Sequence, residues 1–117
     1  AAPASTRPTS TPYAPYVQRD DAGRTEGDWK QLVKGAKDRI TQAENRIRQL
    51  ETESARLEND FYAWSDGNYR DRVIKPAWDK SRDDLQQARR DLDSANQNWD
   101  NMQEVARKAG APPGWLR

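Results

Sequence analysis

The side chains with the most evident capacity for chemistry are carboxylates. Asp83 and Asp84 are adjacent, and one residue separates Asp91 from Asp93. Paired carboxylates do acid–base work when a pocket drives their proton affinities apart. On helices these pairs fall on solvated faces, where nothing separates them. Asp66-Gly67-Asn68 has the residue types of a calcium loop. Such a loop needs oxygen ligands at alternate positions, glycine at the sixth and glutamate at the twelfth. Counted from Asp66, the fifth residue is Arg70, the sixth Asp71 and the twelfth Ala77, so the ligand set fails. The triplet reads instead as a helix terminator, with Gly67 in the left-handed conformation. The chain has no His and no Cys. Imidazole bases, thiol nucleophiles, disulfides and the usual zinc ligands are therefore excluded. No catalytic residue, cofactor or metal ligand is expected, and the chain reads as non-enzymatic.

The elements that carry these residues are helices. Apolar residues make up 33% of the 117, against ~45–50% in a globular domain. That supply suits a narrow seam, which takes about two positions in seven. Trp29, Val33, Ala36, Ile40, Ala43, Ile47, Leu50, Ser54, Leu57, Phe61 and Trp64 alternate by three and four. Ile74, Trp78, Ser81, Leu85, Ala88, Leu92, Ala95, Trp99, Met102, Ala106 and Ala109 form a second such register. Thr25 or Asp28 caps the first helix. Gly110 and Pro112 end the second. Pro76 removes a donor and so marks the start of the second helix or kinks it. The link between the registers is short, which makes the helices antiparallel neighbours. The predicted fold is all-α: a two-helix antiparallel coiled-coil hairpin over 27–111. Helix 1 covers about 27–65, the loop about 66–72 and helix 2 about 73–109, with an extended arm at 1–26 and a tail at 112–117.

Register follows from size matching. When facing numbers sum to about 135, Ala36 meets Trp99, Ile40 meets Ala95, Ala43 meets Leu92 and Ile47 meets Ala88. Large then faces small, as close packing requires. Leu57 meets Trp78, and Phe61 meets Ile74. Flanking charges follow, with Glu58 facing Lys75, Glu51 facing Arg82 and Glu44 facing Arg89. Ser54 opposite Ser81 and Glu53 near Asp84 are the misfits. A rival register, one heptad away, puts Ala43 against Trp99 and Ala36 against Ala106.

The ends remain. The arm carries Pro3, Pro8, Pro12 and Pro15 among Ala, Ser and Thr, a composition of extended or polyproline backbone. It is either a solvated linker or a docking strand, and its Ser/Thr residues suit O-linked sugar after export. Tyr13, Tyr16 and Val17 are its sizeable apolar groups. Trp115 and Leu116 follow a Pro-Pro-Gly hinge. They either fold back near Trp29 or dock on a partner. Tyr13, Tyr16, Val17, Trp115 and Leu116 are thus the candidate contacts for a protein partner or for self-association. Trp29, Trp64, Trp78 and Trp99 read as seam packing rather than a ligand groove. Net charge is +1, and each successive segment of the chain is close to neutral. That leaves no basic field for nucleic acid. No apolar run approaches the ~18 residues of a membrane span. The opening Ala1-Ala2-Pro3-Ala4-Ser5 has the small residues that follow a signal-peptidase cut, which points to an exported protein, periplasmic or extracellular.

Tyr69-Arg70-Asp71-Arg72-Val73-Ile74-Lys75-Pro76-Ala77-Trp78-Asp79 and Ala109-Gly110-Ala111-Pro112-Pro113-Gly114-Trp115-Leu116-Arg117 resemble segments of small uncharacterised exported bacterial coiled-coil proteins. The resemblance covers about a fifth of the chain. It implies export and carries no activity across. The expected function is that of a structural or interaction protein of the cell envelope or exterior, a rigid rod within a larger assembly or filament. A holdase-type periplasmic chaperone and an accessory subunit of another complex are the alternatives. A holdase predicts broad exposed apolar surface, and an enzyme predicts a pocket of convergent polar groups.

Overall fold

A computed structural model describes residues 17–117. It is all-α, with two long helices in an extended hairpin. Helix α1 is Glu26–Ala63; a short helix α2, Gly67–Tyr69, runs through a π-helical turn, Arg70–Ile74, into helix α3, Lys75–Lys108. A 3-10 turn, Pro113–Leu116, follows. At 1.5 Å per residue, the 38 residues of α1 reach about 57 Å.

Helix α1 starts where local chemistry directs. Thr25 Oγ1 accepts from Asp28 N–H at 3.2 Å, and Asp28 Oδ2 accepts from Thr25 N–H at 3.0 Å. Both expected capping residues act, each serving the other's backbone. The other end of the hairpin differs from expectation. Gly67 does not take the left-handed conformation; among the described residues only Gly23 and Gly110 have positive φ. Helix α1 ends instead at Trp64, which is extended with ψ 127°. Gly67 opens the next helix, because Asp66 Oδ1 accepts from the N–H groups of Asn68 and Tyr69. The residues expected as a loop, 66–72, are therefore mostly helical, and the true link is three residues long. An aspartate cap before Gly67 starts a helix as readily as a glycine ends one.

Pro76 sits near the start of α3. It has no N–H for the carbonyl of Arg72, and its ring crowds that carbonyl. The π turn precedes it, with the Lys75 N–H bonded to the Arg70 carbonyl five residues back. A turn one residue wider accommodates both defects. The regular α-helix thus begins at Lys75 with Pro76 in its first turn, as expected, and the wider turn before it accommodates the proline.

The seam is filled as expected along the rod. Trp29, Val33, Ala36, Leu50 and Leu57 are buried on α1, and Ser81, Ala88, Ala95 and Ala106 on α3. Trp29 packs against Ala106. Lys37 Nζ lies 5.4 Å from the Trp99 ring centroid. Both pairs sum close to 135 and agree with large facing small, not with the rival register. Ser81 is buried, and its hydroxyl donates to the Trp78 carbonyl at 2.9 Å. This bond within the helix removes the cost of a seam serine.

The flanking charges depart from expectation. Arg89 reaches Glu51 at 3.6 Å, not Glu44. Lys75 and Arg82 both turn to Asp79, at 3.0 and 2.6 Å, instead of Glu58 and Glu51. Partners three or four residues away on one helix are already in place, whereas a partner across the seam requires two long side chains to extend. Most exposed charges therefore pair within their own helix and carry little of the register.

Ala106 is fully buried beneath Trp29. Ala106→Leu should destabilise the chain by about 1–3 kcal/mol, read from urea unfolding. Parental stability in that variant would show that this layer does not depend on a small residue.

Candidate functional site: the two ends of the hairpin

The open end is built from three pieces of chain. Trp29 is 1% exposed and packs with Ala106, Ala111 and Trp115, with Met102 and Leu116 at the margin. The tail reaches this cluster through a tight helix stop. Gly110 has φ 77°, its N–H donates to Arg107 C=O at 3.2 Å, and Ala111 N–H donates to Ala106 C=O at 2.9 Å. These are the two bonds of the Schellman motif, and Ala111 meets Ala106 as that motif favours. Lys30 Nζ then donates to the Gly114 carbonyl at 3.2 Å. Of the two fates open to the tail, the structure shows the fold-back: Trp115 is buried against Trp29, and Leu116 is half-buried.

Residues 19–25 close the same end from the other side. Asp21 N–H donates to the Ala109 carbonyl at 2.7 Å, which gives the last turn of α3 a partner it lacks within the helix. Glycine is favoured at 110 by its positive φ, and the Asp21 carboxylate packs at van der Waals distance from this position. Asp20 is the hub. It is 7% exposed, and its Oδ1 accepts from Ala22 N–H at 2.9 Å and Arg24 N–H at 2.8 Å. Its Oδ2 accepts from the Trp29 indole N–H at 2.6 Å. The Arg24 guanidinium stacks 5.2 Å from the Trp29 ring. Desolvation pushes the Asp20 carboxyl up, but the bonds from Trp29, Arg24 and Ala22 and the charge of Arg24 together hold it below its ordinary value. The arrangement can fasten two termini to one helix end. Both oxygens of the Asp20 carboxylate are engaged by these donors.

Sequence reasoning did not single out Asp20. The signal was present as Asp20-Asp21-Ala22-Gly23-Arg24, a turn composition placed just before a tryptophan.

The turn end is the opposite case. Trp64, expected in the seam, is 44% exposed and stacks on Tyr69 at 4.9 Å. The extended backbone at Trp64 takes it out of helical register. Tyr62 is 73% exposed and meets the half-buried Phe61 and Trp78 edge-on, at 5.2 and 6.1 Å. Val73 is exposed beside them in sequence, and Arg70 and Arg82 stack on Phe61 and Trp78. Hydrogen bonds from Lys75 and Arg82 hold the Asp79 carboxyl below its ordinary value.

Of the candidate contacts, Tyr13 and Tyr16 lie outside the described residues. Val17 is exposed and lies beside Trp115 and Gly27 at the open end. Val17 and Trp115 thus share the open end, whereas the exposed aromatics among the described residues gather at the far end. Asp83, Asp91 and Asp93 are exposed and Asp84 is half-buried, paired with Lys80 at 2.8 Å. The grooves along the rod are open and lined by polar side chains such as Arg39, Gln42, Arg46 and Asn98. Among the described residues no group of three or more His, Cys, Asp or Glu is placed to hold a metal ion, and no helix is long and apolar enough to cross a membrane. Comparison with known proteins finds no matching family model, no curated relative and no solved structure of significant similarity.

The two ends differ in what truncation removes. Trp29→Ala should cost about 3–5 kcal/mol. Trp64→Ala with Tyr69→Ala should cost no more than ~1.5 kcal/mol, the upper value for an aromatic pair. Equal losses in thermal melts would make the turn end part of the core. Acid should act through Asp20. Its contribution is fully present above the ordinary value of 3.8 and is lost as pH falls through the lowered folded value. Asp20→Asn should therefore melt below the parent at neutral pH and approach it on acidification. A gap that is the same at neutral and strongly acidic pH would show that this carboxylate does not stabilise the fold.

Proposed function

We propose that this is a non-enzymatic structural or protein-interaction protein of the cell envelope or exterior, a rigid helical hairpin that makes its contacts at its ends within a larger assembly. The observation that carries the proposal is the distribution of large apolar groups. Along the rod most of them pack in the seam, while Leu32 and Val105 are exposed toward the open end. At the turn end Tyr62, Trp64, Tyr69 and Val73 face water. Tyrosine and tryptophan exposed together are enriched at protein interfaces. The burial of Trp115 changes how the tail participates. It holds the open end together, so contacts there fall to Val17 and the residues before it. The placement outside the cytoplasm is supported by the resemblance of residues 69–79 and 109–117 to exported coiled-coil proteins.

A photo-cross-linking residue tests this in the producing cell. Placed at Tyr62, it should give discrete adducts in the envelope or the medium. Placed at the exposed Gln49, halfway along α1, it should give few. Equal adducts at both positions, or none at Tyr62, would remove the end-contact proposal. Adducts confined to the cytoplasm would remove the placement.

A further inference from the structure

We infer that the aromatic turn end of one copy takes up the Pro12-Tyr13-Ala14-Pro15 segment of a second copy, joining molecules head to tail. This deepens the proposed function and rests on its reading of the ends as contact sites.

The receiving surface has the chemistry of a polyproline site. Such sites are lined by tyrosine and tryptophan, whose flat faces receive proline rings. A polyproline backbone makes no internal hydrogen bonds, so its carbonyls seek donors. Trp64 and Tyr69 present a stacked pair with an indole N–H and a phenol. Trp64 is 44% and Tyr69 42% exposed, so part of each remains open to a ligand.

The ligand stands in the same sequence. Pro12 and Pro15 are three residues apart, the spacing that brings two prolines to one face of a polyproline helix. These residues lie outside the described ones and enter by sequence alone. What the structure supplies is their anchor: Val17 is at the open end, beside Trp115 and Gly27.

Length decides which copy is served. Pro12 lies five residues before Val17, a reach of at most about 18 Å. The turn end lies about 57 Å from the open end along α1. The segment cannot reach its own molecule's aromatic end, but it can reach that of a neighbour placed end to end. Each such contact leaves one segment and one aromatic end unused, so the contact is heterologous and propagates unless it closes into a ring.

Sedimentation of the full chain tests the inference. The parent's weight-average mass should rise with concentration above the 13.4 kDa of one chain. A turn-end variant, Trp64→Ala with Tyr69→Ala, should remain monomeric, and so should an arm variant, Pro12→Ala with Pro15→Ala. Circular dichroism would establish that both keep the parent's helix content. Mixed in equal amounts, the two variants should form a dimer of twice the monomer mass and stop there. One retains the segment and the other the receiving end. A turn-end or arm variant that assembles like the parent would overturn the inference. So would a mixture that stays monomeric, or a parent that is monomeric at every concentration. The last result leaves the Tyr62 cross-linking outcome intact, because adducts to other proteins do not require self-association.

Discussion

A third of the residues are apolar, and two helices must share them. That shortage shapes the whole molecule. Two helices in contact bury one stripe each, and a bulky side chain at the stripe still has an open flank. Trp78 and Trp99 show the limit: both occupy seam positions and both are only half-buried. Cations close part of the gap, with Arg82 4.3 Å from the Trp78 ring centroid and Lys37 over Trp99. Their aliphatic stems cover apolar surface while their charges remain wet. Full burial of a tryptophan requires a third element. It is reached at Trp29, where the tail and residues 19–25 complete the cover.

The two ends have therefore diverged. At the open end, segments distant in sequence are tied together. The Asp20 carboxylate receives the Trp29 indole N–H, and the Asp21 amide serves a carbonyl of α3. A buried carboxylate with no partner would be costly. Here three donors converge on it, so it holds a short segment in one place against a helix that is distant in sequence. At the turn end no further segment arrives among the described residues. The aromatics there shield one another, as Trp64 and Tyr69 do, but retain exposed faces. This asymmetry is what distinguishes the two ends of the molecule.

The hairpin was legible because it is encoded locally and repetitively. Seam positions from Trp29 to Phe61 and from Ile74 to Ala109 recur at helical spacing, and each one is buried or half-buried. Register was legible for the same reason, since large and small residues alternate out of phase on the two strands of the seam. Charge pairing misled, because Lys75 and Arg82 had a nearer partner in Asp79 on their own helix. The turn misled as well. Asp66 caps the following helix through its side chain, and a capping aspartate and a terminating glycine read alike in Asp66-Gly67.

By itself, the sequence determined the class of fold, the pairing of large with small layers, the stop at Gly110 and the lack of imidazole and thiol chemistry. Each depends on residue type or on spacing within a few turns. Tertiary structure alone decided that Asp20 is buried beneath Trp29, that Trp115 joins the core and that Trp64 leaves it. Asp20, Trp29 and Ala109 to Trp115 lie at opposite ends of the chain, and no local pattern records which distant groups will meet. Whether an aromatic side chain is core or surface depends on whether a third segment arrives to cover it. At one end of this hairpin a segment does, and at the other none does among the described residues.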